Sequence, residues 1–75
     1  MYYSVTSNNQ FRHVSFYHHD TSGRIDVRYK TAKLSPREYR SVVERIKAVE
    51  TDDDVEQLFN EFKPKLSIYA NTTYN

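Results

Sequence analysis

There is no cysteine in this chain of 75 residues. Disulfides and thiolate zinc sites are therefore excluded, and the absence of thiols fits a reducing compartment. Glycine occurs once, at Gly23. Walker and G-x-G-x-x-G loops need several backbone positions without a Cβ, so the common nucleotide-phosphate cradles are excluded too. No apolar run reaches the roughly 18 residues that a membrane helix requires. The opening segment MYYSVTSNNQ has neither a basic nor an apolar stretch, so no secretory signal is expected there. Without one, the sequon Asn71-Thr72-Thr73 reads as a chance match. These absences lead to the expectation of a cytoplasmic protein with no membrane association and no cofactor.

Length bounds what is present. A chain of this size holds one domain with a small core, whose net stability is only a few kcal/mol. Without disulfides or metal, helix packing or self-association must supply the rest. Net charge is +1 but unevenly spread. Residues 1–34 carry Arg12, Arg24, Arg28, Lys30 and Lys33 against Asp20 and Asp26, a net of +3. Residues 52–62 carry Asp52, Asp53, Asp54, Glu56 and Glu61 with no basic residue, a net of −5. The first block suits an anion and the second a basic partner. Neither is as extreme as in proteins that bind nucleic acid mainly through charge.

The pattern along the chain predicts an α+β domain over residues 1–70, followed by a flexible polar tail over 71–75. Strands are expected at 2–6, 11–19 and 24–30. Ser7-Asn8-Asn9 and Asp20-Thr21-Ser22-Gly23 supply the turn chemistry between them. In the third strand Ile25, Val27 and Tyr29 alternate with Arg24, Asp26, Arg28 and Lys30, the mark of a half-buried strand. Short turns between three strands imply an antiparallel meander.

Helix signals are clearer. In LSPREY, Ser35 is the N-cap, Pro36 the first helical residue and Glu38 the partner in a capping box, with Leu34 and Tyr39 as a hydrophobic staple. The apolar stripe Tyr39, Val42, Val43, Ile46, Val49 carries this helix to about Glu50. Thr51 or Asp52 caps a second helix, whose acidic first turn suits the positive helix terminus. Its apolar face is Val55, Leu58, Phe59 and Phe62, and Pro64 limits it to about Lys63. Residues 65–70 alternate through Leu66 and Ile68, as a short fourth strand or an extended segment on the core. The expected architecture is a small antiparallel meander of three strands, with this candidate fourth, packed against two α-helices. The expected core is Val5, Val14, Phe16, Ile25, Val27, Tyr29 and Leu34 from the first part, the stripe of the first helix, and Leu58, Phe59, Phe62 and Leu66.

The segment FRHVSFYHHD holds all three histidines of the chain. As a regular strand it places Val14 and Phe16 in the core and sends Phe11, His13 and Tyr17 outward. His13 and His19 then lie about 20 Å apart, and His18 and His19 point to opposite faces. Three metal donors do not converge, so no metal site is expected. Ser15 and His13 share a face, but strand alternation produces such pairs without chemistry, and no nucleophile elbow accompanies them. The Asp52–Asp54 run lacks the alternating spacing and the glycine of a calcium loop. No enzymatic activity is expected.

Seven tyrosines and four phenylalanines exceed what a small core needs. Outward aromatics beside Arg and His suit a protein partner or a second copy of the chain. They also suit single-stranded nucleic acid, or can stabilise the sheet itself by cross-strand pairing. Low net charge ranks the protein partner above nucleic acid, because phosphate contacts dominate nucleic-acid affinity. The expected function is that of a small non-catalytic protein-binding module. It would be a regulator or inhibitor of the kind carried as accessory genes by phages and mobile elements. Its partner-binding residues would be Phe11, Arg12, His13, Tyr17 and Arg28 on the sheet and Asp52, Asp53, Asp54 and Glu56 on the acidic helix. The alternative is a nucleic-acid-binding protein using Arg12, His13, Tyr17, Arg24, Arg28 and Lys30.

Overall fold

The computed structural model describes residues 2–71. The expected tail therefore lies, beyond Asn71, outside the described residues. The elements are β1 (Tyr2–Asn8), β2 (His13–His19), β3 (Ile25–Thr31), α1 (Pro36–Lys47), α2 (Asp52–Phe62) and β4 (Leu66–Asn71), with a 3₁₀ turn at Lys63–Lys65 before the last strand. The sheet is antiparallel throughout, in the order β1-β2-β3-β4. The chain is thus an α+β domain in which a three-stranded meander gains a fourth strand only after both helices. No helix among the described residues is long and apolar enough to cross a membrane.

One face of the sheet meets the helices. Val14 and Phe16 of β2 are fully buried there, and Leu34, Tyr39, Val42, Val55, Leu58 and Phe59 complete the buried core. Tyr3, Val5, Tyr29, Val43, Ile46, Val49, Phe62 and Leu66 pack around them. The Phe59 ring is the hub. It stacks on Tyr3 of β1 at 4.4 Å and meets Phe16 of β2 and Tyr29 of β3 edge-on at 5.6 and 4.9 Å. Such offset and edge geometries align ring edges with ring faces and add to the area they bury.

Both helix starts follow their local chemistry. The Ser35 hydroxyl accepts the Glu38 amide at 3.2 Å and donates to the Glu38 carboxylate at 3.0 Å. At α2, Thr51 is the cap. Its hydroxyl accepts the Asp54 amide, and the Asp54 carboxylate accepts the amides of Thr51 and Glu50 at 3.1 and 3.0 Å. That carboxylate explains why α1 stops at Lys47 rather than continuing to Glu50. The amide of Glu50 is drawn into the next helix's cap, while Ala48 and Val49 close α1 with bonds to Arg45 and Ile46.

Two expectations about the strands are corrected. First, β2 begins at His13, and residues 9–12 form a turn. Asn8 Oδ1 accepts the Phe11 amide at 3.1 Å, and Arg12 takes a left-handed backbone with φ 51. Second, a bulge falls where β2 and β3 pair. His18 faces Val27 but His19 faces Ile25, which leaves Asp26 as the extra residue. The bulge breaks the alternation of β3, so Ile25 lies with His19 on the outward side rather than with Tyr29 in the core. Asp26 approaches His18, Oδ2 to Nδ1 at 3.6 Å. The turn before β3 is held by Asp20, whose Oδ1 accepts bonds from Ser22 and Arg24, with Gly23 at φ 87.

Two substitutions separate the core from the caps. Phe59→Ala should cost about 3–5 kcal/mol and unfold much of the population. Ser35→Ala should cost only about 1 kcal/mol, as loss of one helix cap. Urea unfolding monitored by circular dichroism ranks them; an Ser35→Ala chain less stable than Phe59→Ala would contradict the packing described.

Candidate functional site

The helices cover one face of the sheet and leave the other bare. Register fixes what stands on the bare face. Tyr2 lies across from His19, and His19 from Ile25. Ser4 lies across from Tyr17, and Tyr17 from Arg28; Thr6 faces Ser15, Ser15 faces Lys30, and Lys30 faces Ser67. Asn8 faces His13. Among the described residues no outward strand position carries a carboxylate, since Asp26 of the bulge leans toward His18.

Two ring pairs flank this surface. At one end Tyr2 lies flat on His19, centroids 4.4 Å apart and planes 7° from parallel. His19 is held at both nitrogens: Nε2 is 2.8 Å from the Ser4 hydroxyl and Nδ1 is 3.4 Å from the Gly23 carbonyl. A carbonyl accepts only, so in this contact Nδ1 is the donor. At the other end Phe11, half exposed in its turn, stacks on His13 at 5.8 Å. Between them lies a shallow concavity of about 470 Å³ lined by Asn8, Phe11, His13, Ser15, Tyr17 and Lys30. Arg28 is half-buried beside Tyr17, and its Nε is buried without a hydrogen-bond partner.

The residues singled out from the sequence fall into three places. Phe11, His13, Tyr17 and Arg28 gather on or beside the outward face, with Lys30. Arg12 does not join them. Its Nε donates to the Leu34 carbonyl at 2.7 Å and its own carbonyl accepts the Leu34 amide at 3.0 Å. That pair ties the β1–β2 turn to the entrance of α1, so Arg12 has a structural duty. Arg24 is exposed in the turn before β3. Asp52, Asp53, Asp54 and Glu56 lie in the helix layer, behind the sheet, and form no single surface with the outward face. Asp52, Asp53 and Glu56 are exposed there. Asp54 is occupied as a cap, and the bonds from the Glu50 and Thr51 amides hold its carboxyl below the ordinary value of 3.8. Glu56 stands near Tyr3, whose phenol is pushed up first by burial, then by Tyr29 and Glu56.

The Tyr2–His19 pair was not legible as a unit. Its signal is the equal length of β1 and β2 about a short turn. Once Asn8 pairs with His13, Tyr2 must pair with His19. What the face offers chemically is capture: rings, hydroxyls and two cations on a rigid backbone. Among the described residues no three His, Asp or Glu side chains come together to hold a metal ion. No protein family, no curated protein and no solved structure matches this chain.

The Asp54 cap makes a pH prediction. Its depressed pKa means the bound carboxylate stabilises the fold above pH ~4 and that this is lost as pH falls through the lower folded value. Asp54→Asn should melt at a lower temperature at pH 7 and lose less on acidification to pH ~2 than the parent chain. Parallel pH–melting curves for the two would show that the cap contributes nothing.

Proposed function

We propose that this chain is a non-catalytic protein-binding module, a regulator or inhibitor that seats an acidic segment of another protein on its outward sheet face. The observation that carries the reading is the composition of that face: Tyr17, Arg28 and Lys30 at its centre, ring pairs at either end, and, among the described residues, no carboxylate at an outward position. Aromatic and Arg side chains supply most of the energy in protein interfaces. Stacked pairs such as Phe11–His13 are already ordered, so little further entropy is lost on binding. The cations Arg28 and Lys30 favour an anionic partner and speed its encounter.

Single-stranded nucleic acid is the second reading, favoured by the same rings beside Arg28 and Lys30. Magnitudes rank it lower. Each phosphate neutralised contributes a slope of about −0.7 in log K against log salt on a single strand, so two cations give only about −1.4. That is a weak electrostatic hold compared with dedicated nucleic-acid binders.

The test uses the amide resonances of Tyr17, Arg28 and Lys30. Aspartate- and glutamate-rich peptides should perturb these and leave α1 and α2 unmoved. Tyr17→Ala or Phe11→Ala should weaken peptide binding by about 2 kcal/mol each. A gel shift of single-stranded DNA or RNA at low salt, stronger than peptide binding and weakened by Tyr17→Ala, would replace this reading with the second. Peptide-induced changes confined to the helix layer would overturn both.

A further inference from the structure

The two edges of the sheet are built differently. Strand β4 is defended. Lys65 and Pro64 stand immediately before it, and a bulge interrupts its pairing, because Arg28 faces residue 70 while Tyr29 faces Ile68. Such bulges and flanking charges are how sheet edges avoid pairing with other chains. Strand β1 has none of these devices. Its seven residues, YYSVTSN, contain no charge, no proline and no glycine, and its pairing with β2 runs without a shift from Tyr2 to Asn8. The charged strand residues Asp26, Arg28 and Lys30 are all on the inner strand β3. The open side of β1 presents a straight row of backbone donors and acceptors with no second strand against it among the described residues.

The sequence of that edge is also complementary to itself. With Val5 on a twofold axis, an antiparallel copy places Val5 against Val5, Ser4 against Thr6, Tyr3 against Ser7 and Tyr2 against Asn8. Every pair keeps both members on the same face, because residues of equal parity face each other. Ser–Thr hydroxyl pairs are favourable, and no like charges meet. The Phe59 ring reaches Tyr3, Phe16 and Tyr29 from one face of the sheet, and the α2 backbone runs closest to β1, so the helix covers the inner face of that strand. Self-association also answers the stability problem of a small cysteine-free core.

We infer that this protein forms a homodimer by antiparallel pairing of β1 with β1 of a second copy, centred on Val5, giving one continuous eight-stranded sheet. The inference concerns the edge and stands independently of what the outward face binds. It does change that face. Tyr2 on its His19 stack comes to lie beside Asn8 of the second copy, at the rim of that copy's Phe11–His13 concavity. The two bare faces then form one surface, with the ring pairs of both copies meeting across the axis.

The chain's lack of cysteine provides the experiment. Sedimentation equilibrium of the unaltered chain, from about 1 to about 500 μM, should show the mass rise from 9.0 kDa towards twice that value. Thr6 is exposed, so Thr6→Lys should leave the circular dichroism spectrum intact and weaken association about ten-fold or more. Val5→Cys should oxidise to a disulfide-linked dimer, whereas Ile68→Cys, exposed on β4, should remain monomeric. A chain that stays at 9.0 kDa throughout overturns the inference. So does a dimer unaffected by Thr6→Lys, or one that cross-links through Ile68→Cys and not through Val5→Cys.

Discussion

One aromatic ring holds this architecture together. Phe59 projects from α2 onto residues of three adjacent strands, and its burial ties the helix layer to the sheet. A chain of this length has helices enough for one layer. Covering one face leaves the other open by necessity. The bare surface with Tyr17, Arg28 and Lys30 is therefore the direct complement of the Phe59 contact. Whatever fixes the helices on one side defines what the other side can present.

Charge follows the same division. The carboxylates of α2 begin a helix, where they meet the positive end of the peptide dipoles, and Asp54 is committed to the cap. The cations of β3 stand on the opposite layer. A net charge of +1 conceals this separation between the first turn of α2 and the cations of β3. Ion pairs that do form, such as Arg45 with Glu61 between the helices, are about half exposed and contribute little to stability. They help to set the relative placement of α1 and α2.

The helices were legible in the sequence because their signals are local. Ser35, Pro36 and Glu38 act within one turn, and so do Thr51 and Asp54. The end of α1 was not, since it depends on Glu50 donating to a carboxylate of the following helix. Strand content, the meander and the fourth strand were legible from alternation and turn residues. The bulge at Asp26 was not, because a one-residue excess shows only when β2 and β3 are aligned. Arg12 was misplaced for a related reason. Nothing in its neighbourhood announces a left-handed backbone or a carbonyl partner 22 residues later. Strand parity places His13, Tyr17 and Arg28 on the outward face, whereas Phe11 reaches it from the turn before β2 by stacking on His13. The acidic residues form a separate candidate surface on α2, in the helix layer.

The position of β4 has a consequence for how the chain comes together. Adjacent strands of the meander are joined by short turns, but residues 32–65 separate the paired residues Thr31 and Leu66. Hairpin contacts close in microseconds, whereas a long connection must first lose its loop entropy. The meander and the two capped helices can therefore assemble while β3 is still an edge, with Arg28 and Lys30 on an outermost strand. The last strand then acts as a latch. It converts β3 from a boundary into an interior element, flanked by β2 and β4.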